Sequence, residues 1–99
     1  MRVIYKYELE ITDFQRLEIP KYSHVLSIQE QNNKIVMWAI VEDTMENSKF
    51  GFFMFGTGNP IDVDNSNELF ENEVAIGRFI GTVQMKNGLV WHVFQTSNL

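Results

Sequence analysis

Phe79-Ile80-Gly81-Thr82-Val83-Gln84-Met85-Lys86-Asn87-Gly88-Leu89-Val90-Trp91-His92-Val93-Phe94 is the stretch whose reading decides the fold. Phe79, Val83 and Met85 alternate towards Asn87-Gly88, and Leu89, Trp91 and Val93 alternate away from it. Side chains of a strand point to opposite faces in turn, so each arm reads as a strand with one buried face. Asn-Gly tolerates the positive φ of a tight turn, and between two such arms it predicts a β-hairpin. Gly77 and Gly81 interrupt the first arm, where glycine marks a bulge or the close approach of another backbone.

Working outward, the same period of two recurs. Val3, Tyr5, Tyr7, Leu9 and Ile11 are separated by mostly charged residues, which predicts a half-buried first strand. Leu17 and Ile19 lead to Pro20, where a strand must stop or lie at an edge because proline lacks the ladder donor. His24 to Gln31 and Ile35 to Val41 flank Asn32-Asn33, a second hairpin signal. Ile35-Val36-Met37-Trp38-Ala39-Ile40-Val41 is apolar on both faces, so it should be a central strand covered twice. Phe50, Phe52, Phe53, Met54 and Phe55 form a fifth strand ending at Gly56. Residues 59–73 lose the alternation: five acids and four asparagines surround Ile61, Val63, Leu69 and Phe70. A short helix over Asn67 to Asn72 is the one helical candidate, and it is too short to stand without tertiary support.

The expected architecture is therefore all-β. About seven antiparallel strands make a small sandwich or partly open barrel, with residues 59–73 as an irregular acidic insertion. Ninety-nine residues support one domain, 1–99, around one core. Trp38, Phe79 and Trp91 are expected to be buried in it.

Composition excludes several functions. No cysteine means no disulfide framework, thiolate metal site or cysteine nucleophile. A net charge of −5, with the eight Lys and Arg scattered singly, argues against direct nucleic-acid binding. No apolar run reaches membrane-span length, and MRVIYKYELEI lacks a signal-peptide core, so the cytoplasm is the expected address. His24 and His92 have no metal-ligand spacing, and no G-x-S-x-G elbow or Ser-His-Asp set stands out. Asp62, Asp64 and Glu73 match parts of a calcium loop, but Ser66 and Asn67 break the pattern and no helices flank it. No metal, no cofactor and no catalysis are expected. The enzyme alternative is a Mg²⁺-dependent phosphoesterase using Asp62 and Asp64.

Two candidate sites remain. Gly56, Thr57, Gly58 and Asn59 form a loop whose amides can cradle an anion, and Arg78 has the planar fork that binds phosphate or carboxylate. Together they suggest a nucleotide ligand. The outward set Val36, Trp38 and Ile40, with Leu69 and Phe70 at its rim, is the candidate interaction surface for a homodimer or a host protein.

The ordered motifs VIYKYEL (Val3 to Leu9), Ile19-Pro20, MWAIVE (Met37 to Glu42), GTGNPI (Gly56 to Ile61), FIGT (Phe79 to Thr82) and LVWHVF (Leu89 to Phe94) carry a resemblance. The chain resembles a family of short uncharacterised bacteriophage, prophage and bacterial proteins, and departs from it in the long acidic stretch from Asp62 to Glu73. The resemblance implies a phage-type accessory protein. Small phage proteins without enzymatic signatures often act by binding host factors, so the expected role of this viral protein is non-enzymatic binding, as an anti-defence inhibitor of a host protein. The alternative is a sponge for a nucleotide-like defence signal. It supplies no catalytic residue or cofactor to carry over.

Overall fold

The computed structural model describes residues 1–61, 68–69 and 74–96. The strands are β1 (Arg2–Leu9), β2 (Phe14–Pro20), β3 (His24–Gln31), β4 (Lys34–Glu42), β5 (Asn47–Gly56), β6 (Glu68–Leu69), β7 (Val74–Gln84) and β8 (Val90–Thr96). Among the described residues there is no helix. Seven strands are long and β6 has two residues; every pairing is antiparallel. They form two sheets ordered β1-β4-β3 and β2-β5-β8-β7-β6, packed as a sandwich rather than a closed barrel.

Turn chemistry sets both hairpins. Asn32 and Asn33 have φ of 52° and 65°, the paired positive values of a type I′ turn, and join β3 to β4. At the other hairpin Gly88 has φ of 90°, and Met85 and Leu89 close a three-residue loop. Gly88 N–H donates to the Met85 carbonyl at 3.0 Å, and Met85 N–H to that of Leu89 at 2.8 Å. The turn falls where Asn87-Gly88 placed it. β2 ends at Pro20 on the edge of its sheet, as proline requires.

The core lies between the sheets. Leu9, Val25, Ile28, Ile35 and Met37 come from the smaller sheet; Ile19, Phe50, Phe52, Met54, Val83 and Val93 come from the larger. Phe52 and Met37 are fully buried, and full burial of such a side chain stabilises by about 1.5–3 kcal/mol. β4 is central in its sheet, and β5 splits its side chains between two faces, with Phe50, Phe52 and Met54 in the core and Phe53 and Phe55 outside.

Along their shared seam, β3 and β7 meet without a ladder. A Cβ on Gly81 would stand 2.9 Å from Ile28 Cγ2, so only glycine lets the backbone come this close. Arg78 Nη2 donates to the Val25 carbonyl at 2.9 Å, fastening the same seam. Val25 itself lies where β3 slips register against β4.

Three expectations need correction. Phe79 is 52% exposed, and Trp38 and Trp91 are half-buried rather than enclosed. The reason for Phe79 is register: β7 slips against β8 between Ile76 and Phe79 and again between Phe79 and Gly81. Each slip reverses which parity faces the core, so Phe79 and Val83 point to opposite faces despite their even spacing. In β1 the expected buried face thins towards the N-terminus: Leu9 is buried, but Tyr5 is 45% exposed, and beyond the strand so is Ile11 at 51%. Finally, Glu68–Leu69 pair with Val74 and Ala75 as β6, so strand replaces helix at those two positions. Asp62, Asp64, Phe70 and Glu73, with the metal and phosphoesterase readings built on the three acids, lie outside the described residues.

Candidate functional site

The Gly56–Asn59 turn leaves β5 beside the β7–β8 hairpin. Thr57 N–H donates to the Val90 carbonyl at 3.3 Å, Asn59 N–H to that of Gly56 at 3.1 Å, and Gly58 takes φ of 84°. The Asn59 amide folds back over Gly56, where a Cβ would meet its Nδ2 at 2.6 Å. The turn and the hairpin wall a shallow cleft of about 220 Å³, lined by Thr57, Asn59, Leu89 and Trp91 among others. The Trp91 indole N–H is buried with no hydrogen-bond partner.

Arg78 is not brought to this cleft. Gly56 is opposite Trp91, and Trp91 opposite Val83, five positions along β7 from Arg78. At about 3.3 Å per residue that is roughly 15 Å. The proposed loop and its proposed cation therefore sit apart, and Arg78 holds the β3–β7 seam instead.

The outward face of the smaller sheet carries Val36, Trp38 and Ile40 in a central stripe. Glu8 and Gln29 flank Val36, Lys6 and Ser27 flank Trp38, and Ile4 and His24 flank Ile40. Lys6 Nζ donates to Gln31 Oε1 at 3.0 Å. Those residues belong to the strands on either side of β4, so the bond spans the stripe at the level of Val36. Lys34 and Glu8 add an ion pair at 3.4 Å on that face. Val36 is accordingly 4% exposed, while Trp38 and Ile40 are half-covered. Long polar side chains lay their aliphatic stems over the apolar stripe and keep their heads in water.

The larger sheet presents a different outward face. Phe14, Phe53, Phe94 and Phe79 are directly opposite one another on β2, β5, β8 and β7, a row running across four strands. Ring centroids are 4.7 Å apart for Phe14 and Phe53 and 5.3 Å for Phe94 and Phe79. Phe55 lies 6.0 Å from both Phe53 and Phe94, and the Arg16 guanidinium sits 4.9 Å from the Phe14 ring centre. These are the separations at which offset aromatic pairs and cation–π contacts stabilise. Gly51 leaves room for the Phe14 ring, whose Cε1 would be 3.1 Å from an added Cβ.

Beside this row, His92 is held at both nitrogens. Its Nε2 is 2.7 Å from Thr57 Oγ1 and its Nδ1 3.0 Å from Thr82 Oγ1. A hydroxyl either donates or accepts, so two threonines satisfy this ring in either neutral tautomer or as the cation. The alternation showed that His92 faces away from Trp91 and Val93. It gave no sign of the two threonines, because one comes from a turn and the other from a strand beyond a bulge.

No curated protein and no solved structure matches the chain. A family profile does, along residues 1–99: the chain belongs to the family described as a domain of unknown function, DUF7352.

Proposed function

We propose that this protein is a non-catalytic accessory protein that acts by binding another protein, and that the phenylalanine row is the surface it uses. One observation carries the reading. Four phenylalanines cross the outward face of the larger sheet and end in Phe79, which is 52% exposed. Phe53 is itself fully buried and Phe14 and Phe94 are half-buried, so the row is a packed aromatic layer whose exposed end is Phe79. An exposed aromatic backed by such a layer is characteristic of an interaction site, where aromatic side chains act as anchors. Set beside the resemblance to phage proteins, the partner is a host protein, and inhibition of antiviral defence is the role that fits. The address that goes with this role is the host cytoplasm; among the described residues no helix is long and apolar enough to cross a membrane.

The test is capture of host proteins on immobilised chain, followed by calorimetry with the purified candidate. Saturable binding that weakens at least tenfold in Phe79→Asp supports the reading. Undiminished binding by that variant, with an unchanged β spectrum, overturns it.

A second reading, sequestration of a nucleotide-like signal, is favoured by the cleft beside Thr57 and Asn59. Calorimetry against a nucleotide panel decides between them. Micromolar binding lost in Thr57→Val would place the function in the cleft rather than on the phenylalanine row.

A further inference from the structure

The exposed edges of the two sheets are not equivalent. β3 is closed against β7 by the Arg78–Val25 bond and the Ile28–Gly81 contact. β2 ends in proline, and β6 has two residues. β1 has none of these protections. It runs in unbroken register with β4 from Arg2 opposite Glu42 to Leu9 opposite Ile35, with neither bulge nor proline. Among the described residues no strand pairs with its other side. Long, regular edges of this kind are templates for another strand unless blunted. β1 is also apolar on both faces at one place: Ile4, outward, is 59% exposed, and Tyr5, inward, is 45% exposed.

We propose that β1 pairs antiparallel with β1 of a second copy, joining two three-stranded sheets into one of six strands. Its own charges select the register. A two-fold axis normal to the sheet keeps inner face beside inner face, so paired residues share parity and the axis passes through a residue. An axis at Ile4 sets Arg2 against the partner's Lys6, and an axis at Lys6 sets that lysine against itself. An axis at Tyr7 pairs Lys6 with the partner's Glu8 but places Ile4 opposite Glu10, beyond the strand. Only the axis at Tyr5 agrees throughout the strand. Arg2 then meets the partner's Glu8, Val3 meets Tyr7, Tyr5 meets itself, and Ile4 lies under the aliphatic stem of the partner's Lys6. The exposed residues of both faces are thereby covered at once, and this edge leaves the phenylalanine row free for a different partner.

The chain has no cysteine, so single cysteines report the register cleanly. Sedimentation of the full chain should give a dimer at micromolar concentration. Tyr5→Cys sits on the axis, where directly opposite Cβ atoms are about 4.5–5.5 Å apart, and should oxidise to a covalent dimer. Tyr7→Cys, four positions from its own copy, should not. Glu8→Arg should raise the dimer dissociation constant about tenfold, since it turns two attractive pairs into repulsive ones. Adding Arg2→Glu should restore it. If Tyr5→Cys perturbs the β spectrum, the pair Ile4→Cys with Lys6→Cys, both exposed and opposite each other across the axis, replaces it. A monomer at millimolar concentration, cross-linking through Tyr7→Cys in place of Tyr5→Cys, or failure of the charge reversal to restore the dimer overturns the proposal.

Discussion

The two outward faces of this sandwich handle the same difficulty in opposite ways. Each sheet has a central strand that is apolar on both sides, so each must cover or present an apolar stripe away from the core. In the smaller sheet the strands flanking β4 carry Lys6, Glu8, Gln29 and Gln31, and the Lys6–Gln31 bond closes over Val36. In the larger sheet the strands flanking β5 contribute Phe14 and Phe94, Phe79 follows on β7, and the stripe widens into a row. Neighbouring strands, more than the central strand's own sequence, decide whether an outward apolar residue is hidden. Phe53 shows how far this goes: it faces away from the core yet is fully buried.

The sharpest way to break the comparison is therefore Phe53→Ala. If the phenylalanine row is a second, packed layer, the loss should be about 3–5 kcal/mol, as large as for Phe52→Ala in the core. Denaturant unfolding of the two variants measures this. A loss below about 1 kcal/mol for Phe53 would reduce the row to surface decoration.

A smaller effect is expected on the other face. Lys6→Ala removes the bridge over Val36 and should cost at most about 1 kcal/mol, because the bond is exposed. It should nevertheless raise the fluorescence of a hydrophobic dye by opening the stripe. Equal dye binding by wild type and variant would mean that the polar stems do not shield Val36.

The smallest effect lies on the polar rim where the smaller sheet passes into the larger. Lys21 Nζ bonds Glu46 Oε1 at 2.6 Å, raising the lysine pKa and lowering that of the glutamate. A lowered carboxyl contributes stability above its unfolded value of 4.5 and loses it as pH falls through the lower folded value. A raised lysine contributes below its unfolded value of 10.5 and loses it as pH climbs through the higher folded value. Glu46→Gln should accordingly lower Tm slightly and equally at every pH between about 6 and 9, and not at all near pH 3. A Tm difference persisting at pH 3 would show that the pair is not the cause.

Much of this fold was legible in the sequence, for reasons that particular residues make plain. Asn32-Asn33 and Asn87-Gly88 tolerate positive φ, and Asn32, Asn33 and Gly88 adopt it, so they announce two hairpins by backbone sterics. Pro20 required β2 to stop there or lie at an edge, because a missing donor cannot be hidden in a central strand, and β2 does both. What alternation does not report is which face has a cover. Val3, Tyr5 and Tyr7 alternate as well as any core strand, yet β1 is an edge strand whose inner face is partly exposed. Phe79 was misplaced because parity was carried across Gly81, although that glycine was itself the mark of a bulge. The site was less legible still. Arg78 and the Gly56–Asn59 turn each have a chemistry that suits an anion, but chemistry at two positions carries no information about the distance between them. The phenylalanine row was invisible for the same reason. It is assembled from four strands whose order in space differs from their order in the chain.

That mismatch of orders also has a kinetic side. Among the described residues, tight turns join β3 to β4 and β7 to β8, one pair in each sheet. β1 must wait for β4, since Arg2 finds its partner only at Glu42, and β2 must wait for β5, since Phe14 finds its own at Phe53. Closing such distances is slow, and all-β topologies rich in them fold in about milliseconds to seconds rather than microseconds. On the ribosome, β1 is thus an unpaired apolar strand until β4 has been made. Arg2, Lys6, Glu8 and Glu10, set between its apolar residues, act as gatekeepers in that interval, and the alternation that first marked the strand also keeps the nascent chain from aggregating.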